Sequence, residues 1–221
     1  MGKLGDKLYN WFEERFQIKE FTETYLTGKM VPPHAQNWLF CLGGLSFTGF
    51  LMQIFTGLFL MMYYKPTPEE AFKSVMYISN EVPYGWLFHQ VHSIGATMMI
   101  LMVMSHFLRI LFMGAYKKPR ELHWVSGMTL LLLTAITSFT GYLLPWTQLS
   151  YWAATVGTDM AGAFPQIGTY LIKVIRGGEQ IGGVTLTRFY ALHVVGLPLI
   201  LLALCGLHFV MIRQTGISDP L

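Results

Sequence analysis

Four long apolar runs constrain the fold of this chain more than any other feature. They cover residues 38–64, 86–113, 124–146 and about 186–212, and each is at least as long as the roughly 20 residues that a helix needs to cross a bilayer. Of the 221 residues, 53% are hydrophobic and only 12% are charged, as is typical of integral membrane proteins. We therefore expect an all-α protein built as a four-helix transmembrane bundle.

The first 33 residues precede the bundle and differ from it in pattern. They alternate charged with aromatic and aliphatic residues, and they lack the continuous apolar core and small-residue cleavage site of a secretory signal. Leu8, Trp11 and Phe12 fall roughly on one side of a helix, which indicates a helix lying in the membrane interface; a solvated helix is the alternative. We expect one domain over 1–221, with an interfacial segment at 1–33 and the bundle at 34–221.

The distribution of charge predicts how the bundle is oriented. Lysines and arginines precede the first span and fill the short connection between the second and third spans, so the positive-inside rule places both on the cytoplasmic side. Both termini are then inside, and the second and fourth helices run in the same direction, inward from the outer face. Residues 147–185 are too long for a tight loop and predict short amphipathic helices on the outer face.

Histidines recur at matched positions on the second and fourth helices. His92 and His106 are fourteen residues apart, a spacing that returns to within about 40° of the same face after a rise of about 21 Å. His193 and His208 are fifteen apart, which gives a nearly matching rise. Because the two helices are parallel, we expect His92 to meet His193 near the outer face and His106 to meet His208 near the inner face.

Two facing imidazoles at each of two depths suit two b-type haems with bis-histidine ligation, because imidazole binds iron well and bundle cores commonly hold such cofactors. Zinc usually requires more protein ligands. A single histidine in a membrane helix is more often a packing residue than a ligand, but two matched pairs favour ligation. Two further histidines, His34 and His123, lie outside the deep parts of the spans and are expected to be solvated or interfacial.

Glycines on the other two helices repeat the same spacing. Gly43 and Gly57 on the first helix, and Gly127 and Gly141 on the third, are each fourteen residues apart. Because glycine permits close backbone approach, these positions predict that both helices approach the edge of a porphyrin. With 22 glycines in the chain, this pattern alone is weak support.

Haem propionates are anions and require cations near each membrane face. Ordinary positive-inside anchoring is the alternative role of the inner cations. The inner candidates are Arg109, Lys117, Arg120 and Arg213, and the outer candidates are His89 and Arg188.

Several specific motifs identify a resemblance to a known family. They are YNWFEERF at 9–16, VPPH at 31–34, FCLGG at 40–44, KKPREL at 117–122, GYLLPW at 141–146, TLTRFYALH at 185–193 and HFVMIRQTGIS at 208–218. With these motifs the chain resembles the four-helix cytochrome b of quinol-oxidising cytochrome bc and bf complexes. This is the split form that is equivalent to the N-terminal half of a longer cytochrome b, and the resemblance covers essentially the whole chain.

The resemblance implies a role for each histidine pair. It implies that His92 and His193 ligate an outer, lower-potential haem, and that His106 and His208 ligate an inner, higher-potential one. Quinol would be oxidised at the outer face, with one electron passing to a Rieske iron–sulfur protein and the other crossing the haems to reduce quinone at the inner face, coupled to proton translocation.

The resemblance also implies the setting of the chain. It would be one subunit of a quinol:cytochrome c or plastocyanin-type reductase and not a complete enzyme. The implied partners are membrane lipid, a small subunit that corresponds to the C-terminal half, a Rieske protein and a c-type cytochrome, in a dimeric complex. A bacterial plasma membrane is favoured, with a thylakoid membrane as the alternative.

The resemblance bears on two further residues, one that matches a family feature and one that departs from it. Cys41, in the FCLGG context, is similar to the cysteine that binds an additional c-type haem through one thioether beside the higher-potential haem, whereas Cys205 has no such context and is interpreted as a packing residue. His89 stands where the family usually carries arginine, so the partner of the outer propionates is open.

Two other functions fit part of the sequence. One is a four-helix dihaem anchor of a dehydrogenase, which passes electrons to quinone without a Rieske partner. The other is a haem-free transporter or scaffold whose histidines form a proton relay. The formal net charge of +3 is small, so nucleic acid is not expected as a partner.

Overall fold

The computed structural model describes residues 3–16, 18–23 and 31–218, and in this part of the chain all regular structure is helical. Shorter helical turns are the 3₁₀ segments Pro33–Ala35, Trp38–Cys41 and Met160–Ala163 and the π-helical segment Leu192–Gly196. The α-helices are α1 (Lys3–Phe16), α2 (Ile18–Phe21), α3 (Leu42–Met61), α4 (Ala71–Asn80), α5 (Gly85–Phe112), α6 (Glu121–Leu143), α7 (Gln148–Asp159), α8 (Gly168–Arg176), α9 (Gly183–Ala191) and α10 (Leu197–Thr215).

Four helical segments are long and apolar enough to cross a membrane: Trp38–Met61, Gly85–Phe112, Glu121–Leu143 and Gly183–Thr215. Only 6% to 17% of the residues in the most apolar part of each span are buried inside the protein. Large apolar side chains therefore point outward along every span, as a lipid environment requires. The predicted fold class and the four predicted spans are confirmed, and the chain is an integral membrane protein.

The four spans associate mainly as two pairs. α5 packs along α3, and α10 packs along α6. Between the pairs, Phe50, Met99 and Leu201 form a buried cluster contributed by α3, α5 and α10. This cluster lies midway between the two predicted histidine levels, so it separates them with apolar side chains.

Three short helices cover one end of the bundle, which we call the surface-helix end. The sequence predicted helices between the third and fourth spans, and α7 and α8 confirm that prediction; α4, between the first and second spans, was not anticipated. Thr147 and Ser150 form a capping box that starts α7. We call the opposite end, where α5 and α10 finish, the Arg120 end.

A buried arginine holds the surface helices together. Arg176 is 5% exposed. Its guanidinium donates hydrogen bonds to Thr158 Oγ1 at 2.7 Å, to the carbonyl of Thr155 at 2.8 Å and to Asp159 Oδ1 at 2.7 Å. Its own carbonyl accepts a hydrogen bond from Thr185 Oγ1 at 2.7 Å. One residue thereby connects α7, α8 and α9.

A tyrosine just beyond the first span closes the same end. Tyr64 donates to the carbonyl of Leu144 at 2.7 Å and packs on Tyr190 with ring centroids 5.3 Å apart. Burial, followed by the neighbouring Tyr190, raises the pKa of Tyr64. The phenol therefore remains a hydrogen-bond donor, which ties the end of α3 to the end of α6.

The π-helical segment corrects a mismatch in spacing. The glycines of α3 and α6 and the histidines of α5 are fourteen residues apart, whereas His193 and His208 are fifteen apart. His193 lies in the π-helical segment, where the wider turn absorbs one extra residue. The two histidines thereby face α6 at the same interval as the glycines opposite them.

The N-terminal segment is only partly described. α1 is a helix, as predicted, and Leu8 and Trp11 are exposed on it. The side chain of Phe12 lies outside the described residues. Contact of α1 with the membrane interface stays a prediction.

Candidate functional site

The structure brings His92 and His193 together near the surface-helix end. Their ring centroids are 6.1 Å apart and their planes are inclined at 76°. Bonds between imidazole nitrogen and a metal such as zinc are about 2.0–2.1 Å long, so this separation has room for one metal atom between the two rings. The predicted pairing of α5 with α10 at this level is therefore geometrically feasible.

His106 and His208 face a common cavity at the Arg120 end. The cavity has a volume of about 320 Å³, and both imidazoles line it together with Gly43 and Gly127. Most of its wall is apolar, and much of that is aromatic, as in sites that bind flat, hydrophobic cofactors. The aromatic side chains are Phe40, Phe47, Phe50, Phe107, Trp124 and Phe209.

Hydrogen bonds fix the orientation of three of the four rings. His92 Nδ1 lies 2.9 Å from Thr56 Oγ1, His208 Nδ1 lies 2.8 Å from Ser126 Oγ, and His193 Nδ1 lies 2.9 Å from the carbonyl of Thr137. Both hydroxyls donate their own hydrogen to backbone carbonyls, so they accept from the imidazoles. Each of these rings carries its hydrogen on Nδ1, which leaves the Nε2 lone pair for a metal.

The sequence contains a signal for these partners that spacing alone did not reveal. A hydroxyl residue stands directly before three of the four predicted glycines: Thr56 before Gly57, Ser126 before Gly127 and Thr140 before Gly141. Thr140 Oγ1 is 3.4 Å from His193 Nδ1, a second and longer contact beside the hydrogen bond to the Thr137 carbonyl. The recurrent hydroxyl–glycine pair thus orients one imidazole and gives it space.

Each predicted glycine faces one predicted ligand. A methyl group on Gly43 would lie 3.1 Å from Cε1 of His106, and one on Gly57 would lie 3.1 Å from Cε1 of His92. A methyl group on Gly127 would lie 3.6 Å from Cε1 of His208. A methyl group on Gly141 would overlap the ring of His193. The glycines therefore make room for the imidazoles, and the predicted approach of both helices to the edge of a porphyrin stays a prediction.

The predicted cations at the Arg120 end differ in position. Arg109 and Arg120 line the cavity, and within the described residues the Nε atom of each is buried without a hydrogen-bond acceptor. Arg109 also lies over the ring of Phe40 at 4.5 Å. Lys117 is exposed in the turn before α6, and Arg213 is half-buried in the last turn of α10.

The predicted cations at the surface-helix end have other contacts. His89 Nδ1 lies 3.0 Å from Ser79 Oγ, which joins α5 to α4. Arg188 is exposed and donates to the carbonyl of Val174 at 2.7 Å, so its described hydrogen bond is with α8. Neither side chain is brought to the histidine pair by a described hydrogen bond.

The two remaining histidines, His34 and His123, are both half-buried at the Arg120 end. His123, expected to be solvated or interfacial, lines the cavity with its ring centroid 6.3 Å from that of His208. His123 is half-buried, and its Nε2 lies 3.1 Å from Thr215 Oγ1. His34 is half-buried, with Nε2 3.2 Å from the carbonyl of Ser218.

Both cysteines are free thiols at the same end of the bundle. Cys41 is exposed at the start of α3, two residues before Gly43, and its thiol lies 3.5 Å from the carbonyl of Asn37. Cys205 is partly buried and lines the cavity. An exposed thiol beside the cavity is accessible to covalent attachment, whereas Cys205 packs within the bundle.

These features together fit a haem at each level. Each imidazole pair would supply two nitrogen ligands to a haem iron. At the His106/His208 level the cavity wall is mostly apolar, and two buried guanidinium Nε atoms have no protein acceptor within the described residues. Among those residues no three His, Cys, Asp or Glu side chains gather in a way that would hold a metal ion.

Comparison with known proteins gives consistent matches over nearly the whole chain. The family described as Cytochrome b/b6/petB matches residues 26–216. Cytochrome b6 from Synechococcus elongatus is 47% identical over 216 residues, which are 98% of this chain and 100% of that protein. A chain of a solved hyperthermophilic respiratory Complex III is similar with a TM-score of 0.85 and 36% identity. That match covers 96% of this chain and 56% of the solved chain.

Proposed function

The chain belongs to the cytochrome b/b6 family, and from that premise we propose that it is an electron-transfer subunit of a quinol-oxidising complex of the bc or bf type. The observation that carries this proposal is the presence of two imidazole pairs at two levels between α5 and the fourth span, Gly183–Thr215. Haem b bound at each level would supply one-electron transfer. The protein residues then determine where the haems lie and how readily each is reduced.

The proposed ligands are His92 with His193, and His106 with His208. Thr56, Ser126 and the Thr137 carbonyl support this role, because they hold three rings with Nε2 free for iron. The four predicted glycines keep space beside the rings. Arg109 and Arg120 would donate hydrogen bonds to the propionates of the haem held by His106 and His208, since their buried Nε atoms lack an acceptor within the described residues.

The charges at the Arg120 end support a proposed orientation. Lys117, Lys118 and Arg120 lie in the turn between α5 and α6, so the positive-inside rule places this end in the cytoplasm. Quinol oxidation would then occur outside, at the surface-helix end, and quinone reduction inside, with net proton translocation. A bacterial plasma membrane with both termini cytoplasmic is proposed, and a thylakoid membrane is the alternative.

Partner subunits are part of the proposal. The chain spans about half the length of the solved Complex III chain that it resembles, so a subunit corresponding to the remaining length is expected. A Rieske iron–sulfur protein, a c-type cytochrome or plastocyanin-type acceptor, and a dimeric assembly complete the proposed complex. Purification through a tag on this chain, followed by mass spectrometry, tests this composition.

The outcome of that purification separates the proposed function from its alternatives. We expect a Rieske protein to co-purify and quinol to reduce b-type haem in the preparation. Recovery of a flavin- or iron–sulfur-containing dehydrogenase subunit without a Rieske protein would replace the proposal with a dehydrogenase anchor. A preparation without haem would favour the transporter or scaffold.

An additional c-type haem attached to Cys41 belongs to the same proposal. Its support is the FCLGG motif and the exposed thiol beside Gly43, at the level of His106. We expect a haem-staining band that survives denaturing electrophoresis of the native chain and disappears in Cys41→Ser. Cys205→Ser is the matched control and should keep the band; loss of the band only in that control would contradict the assignment.

A further inference from the structure

The four imidazoles differ in one respect that the ligand pattern does not predict. His92, His193 and His208 donate from Nδ1 to a protein acceptor. His106 Nδ1 is buried and, within the described residues, has no hydrogen-bond partner. In the proposed His92/His193 site both ligands therefore have a hydrogen bond at Nδ1, whereas in the His106/His208 site only His208 has one.

One position in the sequence distinguishes the surroundings of His106. Hydroxyl residues precede Gly57, Gly127 and Gly141, but Leu42 precedes Gly43. Leucine at position 42 therefore offers His106 no hydroxyl acceptor.

The packing of α3 on α5 is otherwise equivalent at the two levels. A methyl group on Gly43 would lie 3.1 Å from Cε1 and 3.5 Å from Nδ1 of His106, and one on Gly57 would lie 3.1 Å from Cε1 and 3.7 Å from Nδ1 of His92. The glycine–histidine pairs are also in the same antiparallel register, because both helices use a spacing of fourteen. A hydroxyl at position 42 would consequently meet His106 as Thr56 meets His92.

A hydrogen-bond acceptor on the outer nitrogen makes an imidazole more basic and a better donor to its metal. Stronger donation stabilises the oxidised iron relative to the reduced iron, so it lowers the reduction potential. An imidazole without that acceptor donates less strongly to the iron, which gives a higher reduction potential. The two sites thus differ in potential even though all four ligands are histidines.

We propose that the absence of an Nδ1 acceptor for His106, caused by Leu42, raises the reduction potential of the His106/His208 site above that of the His92/His193 site. This inference rests on the proposed function, because it assumes haem at both levels. It assigns to Leu42 and Thr56 a role in setting the two reduction potentials. The two residues lie fourteen positions apart on α3, the same spacing as Gly43 and Gly57. The resulting difference directs electrons from the surface-helix end toward the Arg120 end.

The guanidinium groups of Arg109 and Arg120 line the same cavity. Their positive charges favour the reduced haem, so they raise its reduction potential as the missing acceptor does. The test must therefore change the hydrogen bond and leave the charges in place. Leu42→Thr supplies the hydroxyl, and Leu42→Val has nearly the same shape without it. The difference between these two variants isolates the hydrogen bond.

The experiment is a redox titration of the purified complex, followed through the visible difference spectrum of each b haem. A net hydrogen bond is worth about 0.5–1.5 kcal/mol. We therefore expect Leu42→Thr, relative to Leu42→Val, to shift the equilibrium of the His106/His208 haem toward the oxidised form by about two- to tenfold. A tenfold change corresponds to 59 mV for a one-electron couple.

A reciprocal variant keeps the proposal testable if position 42 does not tolerate threonine. Thr56→Val removes the hydroxyl acceptor of His92 and leaves the ring its hydrogen bond to the backbone of Gln53. It should therefore raise the potential of the His92/His193 haem by only part of the effect of a full hydrogen bond, with the other haem unchanged. Equal potentials in Leu42→Thr and Leu42→Val, or no rise in Thr56→Val, would overturn the inference while leaving two haems in place. Absence of haem from the native complex would instead overturn the proposed function.

Discussion

Gly141 and Gly127 occupy equivalent positions on α6 but differ in the space available to them. A methyl group on Gly141 would overlap the His193 ring, whereas one on Gly127 would make an ordinary contact of 3.6 Å with His208. We expect Gly141→Ala to displace His193 and to remove the haem of that site, and Gly127→Ala to retain both haems. Pyridine haemochrome assays of the two purified variants measure the haem content. Equal haem loss in both variants would contradict this account of the glycines.

Arg120 and Lys117 are a matched pair of cations in one turn, of which only Arg120 lines the cavity. Removal of a charge close to a haem should disfavour its reduced form by the order of 1 kcal/mol at an effective dielectric constant near 20. Arg120→Gln should therefore lower the midpoint potential of the His106/His208 haem, and Lys117→Gln should leave it unchanged. An unchanged midpoint in Arg120→Gln would show that positive-inside anchoring is the role of Arg120.

Residue types and spacing predicted which side chains meet, but not how each is oriented. His92 and His193 were paired from helix geometry, and their rings lie together. The acceptors Thr56 and Ser126 were missed, because a hydroxyl in a membrane helix usually bonds to its own backbone and does not stand out in a sequence. Their position directly before a glycine is the signal that reveals them.

At the scale of helices, α7, α8 and α9 depend on one buried side chain. Arg176→Met would leave the carbonyl of Thr155 and the side chain of Asp159 without their donor. We expect a loss of about 1–3 kcal/mol in the free energy of unfolding and faster hydrogen exchange in α7 and α8, measured by thermal unfolding and mass spectrometry of the complex.

Lys173→Met is the control for that prediction. Lys173 pairs with Glu179 on the exposed surface of α8, and exposed ion pairs contribute little to stability. Its removal should leave hydrogen exchange in α7 unchanged. If the two variants behaved alike, the connection between α7 and α9 would depend on packing and not on Arg176.

The π-helical segment Leu192–Gly196 illustrates why element geometry was only partly predictable. The four apolar runs fixed the spans, because length and hydropathy decide which segments cross a bilayer. A single extra residue in the last span left no trace in hydropathy, and its effect depends on where the helix widens. The spacing of fifteen between His193 and His208 was the only visible sign.

For the whole molecule, the family and the four-span architecture were predictable from apolar runs and motifs, and both are confirmed. α4 was not predicted, because its ten residues are too few to form an apolar run that could span a membrane. The inward position of His123 depends on how α6 packs against α10, which a single sequence does not determine.

The central claim is that four imidazoles hold two haems between α5 and α10. Quantification of haem and iron in the purified complex, together with electron paramagnetic resonance, tests it in His106→Ala and His92→Ala. We predict two low-spin b haems per chain in the native complex and the selective loss of one signal in each variant. Two intact low-spin signals in either variant, or a native complex without iron, would contradict the claim.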